Sequence, residues 1–152
     1  MSKTARKMIN YCVENEIGTL VVGYNEIFQR GSDMGKRNNQ MFAHIPFGKL
    51  VYKLSYLCEL NGIIFVKQEE SYTSKASFWD QDEIPVYNKD NPKEYTFSGT
   101  RIKRGLYQTK TKKILNADVN GALNILRKSN VVSLEGIYSS GTVATPVRIR
   151  IA

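Results

Sequence analysis

A strand, a helix and a second strand follow one another in the first half of the chain, and this order constrains the fold more than any other feature. Residues 19–22 form a short apolar run of β-prone side chains. Between Phe47 and Cys58 apolar residues recur at the spacing of a buried helix face, and residues 63–66 form a second apolar run. Runs without alternation are typical of strands covered on both faces. This order predicts a βαβ unit with parallel strands and a right-handed crossover.

Two more helices are predicted beside this unit, at residues 3–16 and 117–128. Asn116 is a suitable N-cap for the second of them, and Asp118 lies in its first turn, where the helix dipole favours a carboxylate. We expect Asp118 to stand at the rim of the core. The apolar stripe expected to be buried comprises Val119, Ala122, Leu123 and Leu126. The polar side expected to face away from it comprises Asn120, Asn124, Arg127 and Lys128.

The segment between the βαβ unit and this last helix has no clear periodicity. Its first part is acidic and its second part is basic, and β-prone pieces at residues 94–98 and 105–108 predict a small hairpin. A connection of this length is usually either functional or disordered. After the last helix, the tail has β-prone pieces at residues 131–132 and 149–151, which suggest an extended strap or an edge strand.

The charge of the chain favours a polyanionic partner. The formal net charge is +8, which indicates nucleic acid first and an acidic membrane second. In the loop after the first strand, bases, amides and aromatic residues suit contact with nucleic acid, and equally suit an ordinary solvated loop. The cations expected to contact nucleic acid are Lys36 and Arg37 in this loop, and Arg101, Lys103, Arg104, Lys110, Lys112 and Lys113 in the insertion.

Several classes of protein are disfavoured. No apolar run approaches the ~20 residues that a membrane span needs, and the first residues lack the apolar core of a signal peptide, so we expect a cytoplasmic protein without a membrane partner. Cys12 and Cys58 fall in helix-like apolar stripes and are expected to be buried free thiols. With His44 as the single histidine, the chain lacks a compact set of zinc ligands.

Carboxylates follow the predicted strands and open the last helix. Glu26 comes shortly after the first strand, Glu69 and Glu70 follow the second, and Asp118 begins the helix after the insertion. Ligands of α/β sheets bind at the carboxyl ends of strands. Two or three of these acids together would hold Mg²⁺ or Mn²⁺, which can activate a phosphodiester for cleavage. The alternative is that these are scattered loop acids without a shared role.

The order of short motifs resembles a known family. The motifs are IPFGKL at residues 45–50, GIIFV at 62–66, SYTSK at 71–75, ADVNGALNIL at 117–126 and TPVRIRI at 145–151. Together they resemble the C-terminal part of TnpB, the OrfB-type protein of insertion sequences, long called a putative transposase. The resemblance implies a RuvC-like nuclease domain of the RNase H fold, similar to type V CRISPR effectors, which cuts DNA under the guidance of an RNA. It implies catalysis by three acids with Mg²⁺ or Mn²⁺.

Carried over residue by residue, the resemblance assigns the last catalytic acid to Asp118. The expected glutamate falls at Gly23, and Glu26 comes three residues late. Glu70 is a geometrically reasonable substitute, so Asp118 and Glu70 are the candidate catalytic and metal-binding pair. Glu70→Gln is expected to abolish metal-dependent cutting in a complete protein.

The resemblance also divides the chain. It implies an incomplete RNase H-like α/β core at residues 1–71, a small β-rich insertion at 72–115, and the last RuvC-like helix with an extended tail at 116–152. The insertion matches a zinc ribbon whose cysteines are absent, with Ser74, Ala76 and Ser77 around the first pair. It is expected to be free of zinc and held by the aromatic side chains of Tyr72, Phe78, Trp79, Tyr95 and Phe97.

The front of the family's nuclease domain is absent, together with its first three strands and first catalytic acid. We therefore expect a fragment or a truncated product, with an open sheet edge and the missing N-terminal half as a partner. The expected function is the C-terminal part of a transposon-encoded, RNA-guided DNA endonuclease, inactive as an isolated chain, with DNA and guide RNA as partners. The alternative is a binding module that has lost nuclease activity.

Overall fold

The fold is known from a computed structural model that describes residues 2–25, 47–140 and 146. The positions Glu26, Lys36 and Arg37, together with the tail at 149–151, lie outside the described residues. Along the chain, the structure divides between Lys67 and Gln68 into two compact units. The elements are α1 (Ser2–Glu14), β1 (Thr19–Tyr24), α2 (Phe47–Leu60), β2 (Ile64–Glu69), β3 (Thr100–Lys103), β4 (Leu106–Gln108), β5 (Ile114–Asn116), α3 (Ala117–Ser129) and α4 (Glu135–Ser140).

The first unit is a mixed α/β arrangement with the predicted order of helices and strands, but β1 and β2 are half-buried and not covered on both faces as expected. Strands β1 and β2 pair in a two-stranded sheet, and the Ile64 amide donates a 2.9 Å hydrogen bond to the Gly18 carbonyl. This bond joins the starts of the two strands, as parallel pairing requires.

None of the helices in the described ranges has the length and apolarity that a bilayer crossing requires.

Helices α1 and α2 bury one apolar face each against this sheet. The fully buried members of their shared core are Ala5, Ile9, Cys12, Leu54, Leu57, Cys58 and Ile63. Both thiols are free and buried, as predicted from their stripes. Burial raises the pKa of Cys12 and of Cys58, which favours the protonated thiol in the folded chain.

The second unit is built on a three-stranded antiparallel sheet in the order β3–β4–β5. The turn between β3 and β4 contains Gly105 at a φ of +77°, a conformation that side chains with a Cβ rarely adopt. Tyr107 and Leu115 are buried on one face of the sheet together with Ala117, the first residue of α3. The predicted β piece at 105–108 is confirmed as β4, whereas the piece at 94–98 contains no strand.

Helix α3 follows β5 without a connecting loop and packs on α4. Phe78 and Leu123 are buried with Leu134, which precedes α4. The ring of Phe78 stacks on Tyr138 with centroids 4.7 Å apart and meets Trp79 edge-on at 5.4 Å. The β-prone piece at 131–132 is not a strand, and the short helix α4 that follows it was not predicted.

The predicted aromatic contacts form two groups. Phe78 and Trp79 join the core around α3, whereas Tyr72 contacts Tyr95 at 5.1 Å and Phe97 at 6.0 Å between ring centroids. The second group lies on the long connection between β2 and β3. It packs that connection onto the turn after β2 in the absence of regular secondary structure.

The expected faces of α3 were wrong in part. Asn120 and Asn124 are completely buried, and Ala122 is exposed. Of the predicted apolar stripe Leu123 is buried, while Val119 and Leu126 are half-buried. The amides are buried because they satisfy backbone groups of the turn at residues 73–78, which has no ladder or helix of its own to provide these bonds.

Alkaline pH is expected to destabilise the second unit through Tyr107. Its hydroxyl donates a 2.7 Å hydrogen bond to the Lys75 carbonyl. Burial, with the negative charges of Asp82 and Asp80, raises the pKa of Tyr107 to about 12, against an opposing hydrogen bond with Ser77. The unfolded chain releases this proton first, near pH 10, so the free energy of unfolding falls between pH 10 and about 12 and is unaffected below.

Urea unfolding followed by Trp79 fluorescence across this pH range measures the effect. Tyr107→Phe, which has no titrating hydroxyl, is expected to remove this part of the pH dependence. The same dependence in wild type and variant would show that another group causes it.

Candidate functional site

The N-terminus of α3 presents an exposed acid. The Asn116 side chain accepts hydrogen bonds from the amides of Asp118 at 2.9 Å and Val119 at 3.0 Å, so the predicted N-cap is confirmed. Because Asn116 caps the start of the helix, the Asp118 carboxylate is not needed as the cap. Its side chain is 85% exposed, so Asp118 stands in solvent and not at the rim of the core as expected.

A cation from the sheet meets this acid. The Arg101 guanidinium, from β3, lies 3.6 Å from Asp118 Oδ1. The contact follows from the chain path, because β5 runs directly into α3 and β3 belongs to the same sheet. Both side chains are largely exposed, and exposed ion pairs contribute little to stability. The pair therefore remains accessible to a ligand.

The acids after β2 have different surroundings. Lys128 donates to Glu69, to the Ser71 carbonyl at 3.1 Å and to the Pro85 carbonyl at 3.2 Å. Burial alone would raise the pKa of Glu69, but hydrogen bonds from Lys128 and Ser71 outweigh it and lower the pKa. Burial and the neighbouring charge of Glu69 raise the pKa of Glu70.

The structure connects Asp118 to Arg101 and connects Glu69 to Lys128. These two contacts lie at opposite ends of α3, because ten residues of helix span about 15 Å. Glu70 is half-buried and follows Glu69 directly. Within residues 2–25 and 47–140, no three Asp, Glu, His or Cys side chains come together in a group that could hold a metal ion.

The predicted cations of the insertion are placed along the sheet and its turns. Arg101, Lys103, Arg104, Lys110, Lys112 and Lys113 are all exposed residues. Lys113 Nζ also lies 5.0 Å from the centre of the Trp79 ring. Lys103 and Arg104 lie at the β3–β4 turn, whereas Lys110, Lys112 and Lys113 lie in the β4–β5 connection at the opposite end of the antiparallel sheet. The cations are therefore spread over both ends of the sheet, with Arg101 beside Asp118, and a phosphate backbone is the ligand class that such basic surfaces attract.

The amides of α3 had no assigned role in the sequence. Asn120 accepts from the Phe78 amide at 3.0 Å and donates to the Ala76 carbonyl at 2.8 Å. Asn124 donates to the carbonyls of Thr73 at 2.9 Å and Ala76 at 2.7 Å. The sequence signal for this buried role was the spacing of Asn120 and Asn124, which stand four residues apart with Leu123 between them. These bonds attach the helix that carries Asp118 to the turn after β2.

Comparison with known proteins gives a match to a family model and a match to a solved structure. The model described as "Cas12f1-like, TNB domain" matches residues 47–125, about half of the chain. A cryo-EM structure of a Cas12f1–sgRNA–target DNA complex contains a chain of similar fold, with a TM-score of 0.54 and 20% sequence identity over 86% of this chain. The match covers 33% of that protein, so the chain spans about a third of its length. No curated protein matches the chain.

Proposed function

Since the chain belongs to the Cas12f1-like TNB-domain family, we propose that it is the C-terminal part of an RNA-guided DNA endonuclease. The predicted kinship with TnpB-type proteins is confirmed by the same match together with the structural one. We also propose that the α/β part is an incomplete RuvC-like core and that the protein is transposon-encoded and cytoplasmic. DNA and a guide RNA are the proposed partners, together with the parts of the nuclease that this chain does not span.

One observation carries the proposal, namely the contact between Arg101 and Asp118. It brings a member of the basic group together with the acid that the family resemblance assigns to catalysis. A phosphate approaching Arg101 would displace the exposed ion pair at little cost, because such pairs are weak in water. Arg101 would thereby hold a phosphodiester beside the carboxylate, and it would shield the acid from the charge of the backbone.

A divalent cation fits this site only in part. Asp118 offers one accessible carboxylate, and in the described residues it belongs to no group of three or more acids, histidines or cysteines that could hold a metal ion. Glu70 stays the proposed second acid, in the place of the glutamate that would stand at Gly23, although it follows Glu69, whose contact with Lys128 lies at the other end of α3 from Asp118. We propose that cutting requires further acids from the part of such a nuclease that this chain does not span.

The second candidate function is nucleic-acid binding without cleavage. It is favoured by Gly23 at the position where the family resemblance implies a glutamate. Lys36 and Arg37 remain proposed contacts of nucleic acid in either case. The two functions share the basic surface and differ only in whether the acids are used.

Binding by the isolated chain tests what both candidates share. We expect it to bind single-stranded DNA and RNA, with an affinity that falls as salt rises. Arg101→Gln is expected to make the slope of log K against log salt shallower by about 0.7, the value for one phosphate contact on a single strand. Lys89→Gln, an exposed cation on the acidic side of the insertion, is the matched control and should leave the slope unchanged. An affinity independent of salt would reject phosphate-driven binding.

A further inference from the structure

Two carboxylates connect three separate segments of the second unit. Asp82 Oδ2 accepts hydrogen bonds from the amides of Ser77 at 2.8 Å and Ser98 at 3.0 Å, and Asp82 Oδ1 accepts from the Ser98 hydroxyl. Asp80 Oδ2 accepts from the Ser77 hydroxyl at 2.6 Å and from the Lys110 amide at 2.9 Å. The turn after β2, the entry to β3 and the turn after β4 are thereby joined.

A unit of this size needs such a connection. Residues 81–99 contain no helix or strand, and β3, β4 and β5 are three to four residues long. Small domains with few regular elements usually rely on disulfides or a structural metal. Neither fits here, because residues 68–140 contain no cysteine and no histidine, and Asp80 Oδ2 and both carboxylate oxygens of Asp82 already accept backbone and hydroxyl protons.

We propose that Asp80 and Asp82 do for this unit what a structural metal does elsewhere, and that they position Arg101 for its contact with Asp118. The spacing of Ser77 and Asp80 supports this, since two residues separate them, as in the ligand pairs of structural zinc sites. In this chain the serine and the aspartate bind each other, and Asp80 reaches the opposite turn at Lys110. Charged acceptors make the stronger class of hydrogen bond.

The link to Arg101 passes through Ser98 and Gly99. Asp82 holds both the amide and the hydroxyl of Ser98, three residues before Arg101. Gly99 lies so close to Tyr107 that an added Cβ would stand 2.5 Å from the ring atom Cε1 and 2.6 Å from the Gln108 carbonyl oxygen. The start of β3 is therefore held by Asp82 at Ser98 and by Tyr107 at Gly99. Loss of the hydrogen bonds to Ser98 would free the strand that carries Arg101.

The first test needs no nucleic acid and is therefore independent of the proposed function. In Asp82→Asn, amide hydrogen exchange is expected to accelerate about tenfold at Ser98, and in Asp80→Asn by a similar factor at Lys110, while the Ile64 amide of the first unit is unchanged. Asp90→Asn, an exposed aspartate of the same insertion, is the matched control. Exchange rates equal to those of the wild type would overturn the proposal.

A chelator keeps the proposal testable even where a variant does not fold. EDTA is expected to leave the melting temperature and the exchange rates of the wild-type chain unchanged, and added Zn²⁺ is expected to raise neither. A fall in melting temperature with EDTA would show that a metal holds the unit and would overturn the proposal.

The positioning role has its own readout, which rests on the proposed binding function. Asp82→Asn is expected to make the salt dependence of DNA binding shallower by the same amount as Arg101→Gln, and the double variant no shallower than either single one. An unchanged slope in Asp82→Asn would show that Asp82 acts on stability alone, and additive changes would show that it affects binding independently of Arg101; either result would overturn the positioning role. If DNA binding by the wild-type chain does not depend on salt, the proposed binding function is refuted, while the hydrogen-exchange result still holds.

Discussion

Replacing Asn120 with leucine is expected to lower the free energy of unfolding of the second unit by about 2–4 kcal/mol. Leucine fills a similar volume but cannot form hydrogen bonds. The Phe78 amide then loses its side-chain acceptor inside the core, and an unsatisfied buried group of this kind costs about 1–3 kcal/mol. The Ala76 carbonyl also loses a donor, but it keeps the bond from Asn124, so its share of the loss is smaller.

Trp79 is the only tryptophan and lies in the second unit, so its fluorescence reports the urea unfolding of that unit. Asn91→Leu makes the same chemical change at an exposed position of the insertion and is expected to alter stability by less than about 0.5 kcal/mol. If the two leucine variants have equal midpoints and equal m values, the amide of Asn120 does not hold the turn.

The helices and strands of the first unit could be predicted because the spacing of apolar residues along the sequence is enough to indicate them. Helices α1 and α2 each bury one apolar stripe, and apolar runs mark β1 and the first half of β2, which continues through Lys67, Gln68 and Glu69. The same rule misled at α3, where it placed Asn120 and Asn124 in solvent. Polar side chains are usually exposed, and only the three-dimensional path of residues 73–78 creates the backbone groups that these amides satisfy.

The residues of the candidate site were named from the sequence, but their contacts were not, and their roles stay predictions. The resemblance marked Asp118, and the basic stretch marked Arg101 as a phosphate contact. The contact between Arg101 and Asp118 depends on how three short strands turn back onto α3. The pairing of β3 with β4 includes a register irregularity between Arg101 and Lys103. Such an irregularity leaves no periodic signal in a sequence. Asp80 and Asp82 were read only as part of an acidic segment, because hydrogen bonding across 16 and 30 residues cannot be inferred from composition.

Asp118 itself does not hold the second unit together. Asn120, Asn124, Asp80 and Asp82 are engaged with backbone groups, whereas Asp118 is exposed and its helix is capped by Asn116. A substitution of Asp118 can therefore test chemistry with little disturbance of the fold. This separation makes the last prediction decisive between cleavage and binding alone.

In a complete protein that contains this chain, Asp118→Asn is expected to lower the rate of DNA cutting at least about a hundredfold, because losing one preorganised electrostatic contact costs about 10²–10³ in rate. Asparagine keeps the shape of aspartate but not its charge. Binding is expected to be retained, since the change removes a negative charge from a basic surface. Stability should change little, because an exposed acid near a helix N-terminus contributes only about 0.3–1 kcal/mol.

Glu70→Gln then decides whether Glu70 completes the site. If Glu70 acts with Asp118, its variant loses cutting to a similar extent, and the double variant is no slower than either single one, because residues that act as a unit are not additive. If Glu70→Gln cuts at the wild-type rate, the second acid comes from elsewhere in the protein and Asp118 keeps its role. If Asp118→Asn also cuts at the wild-type rate, the acid at the start of α3 serves only to pair with Arg101, and the binding module is the correct description of this chain.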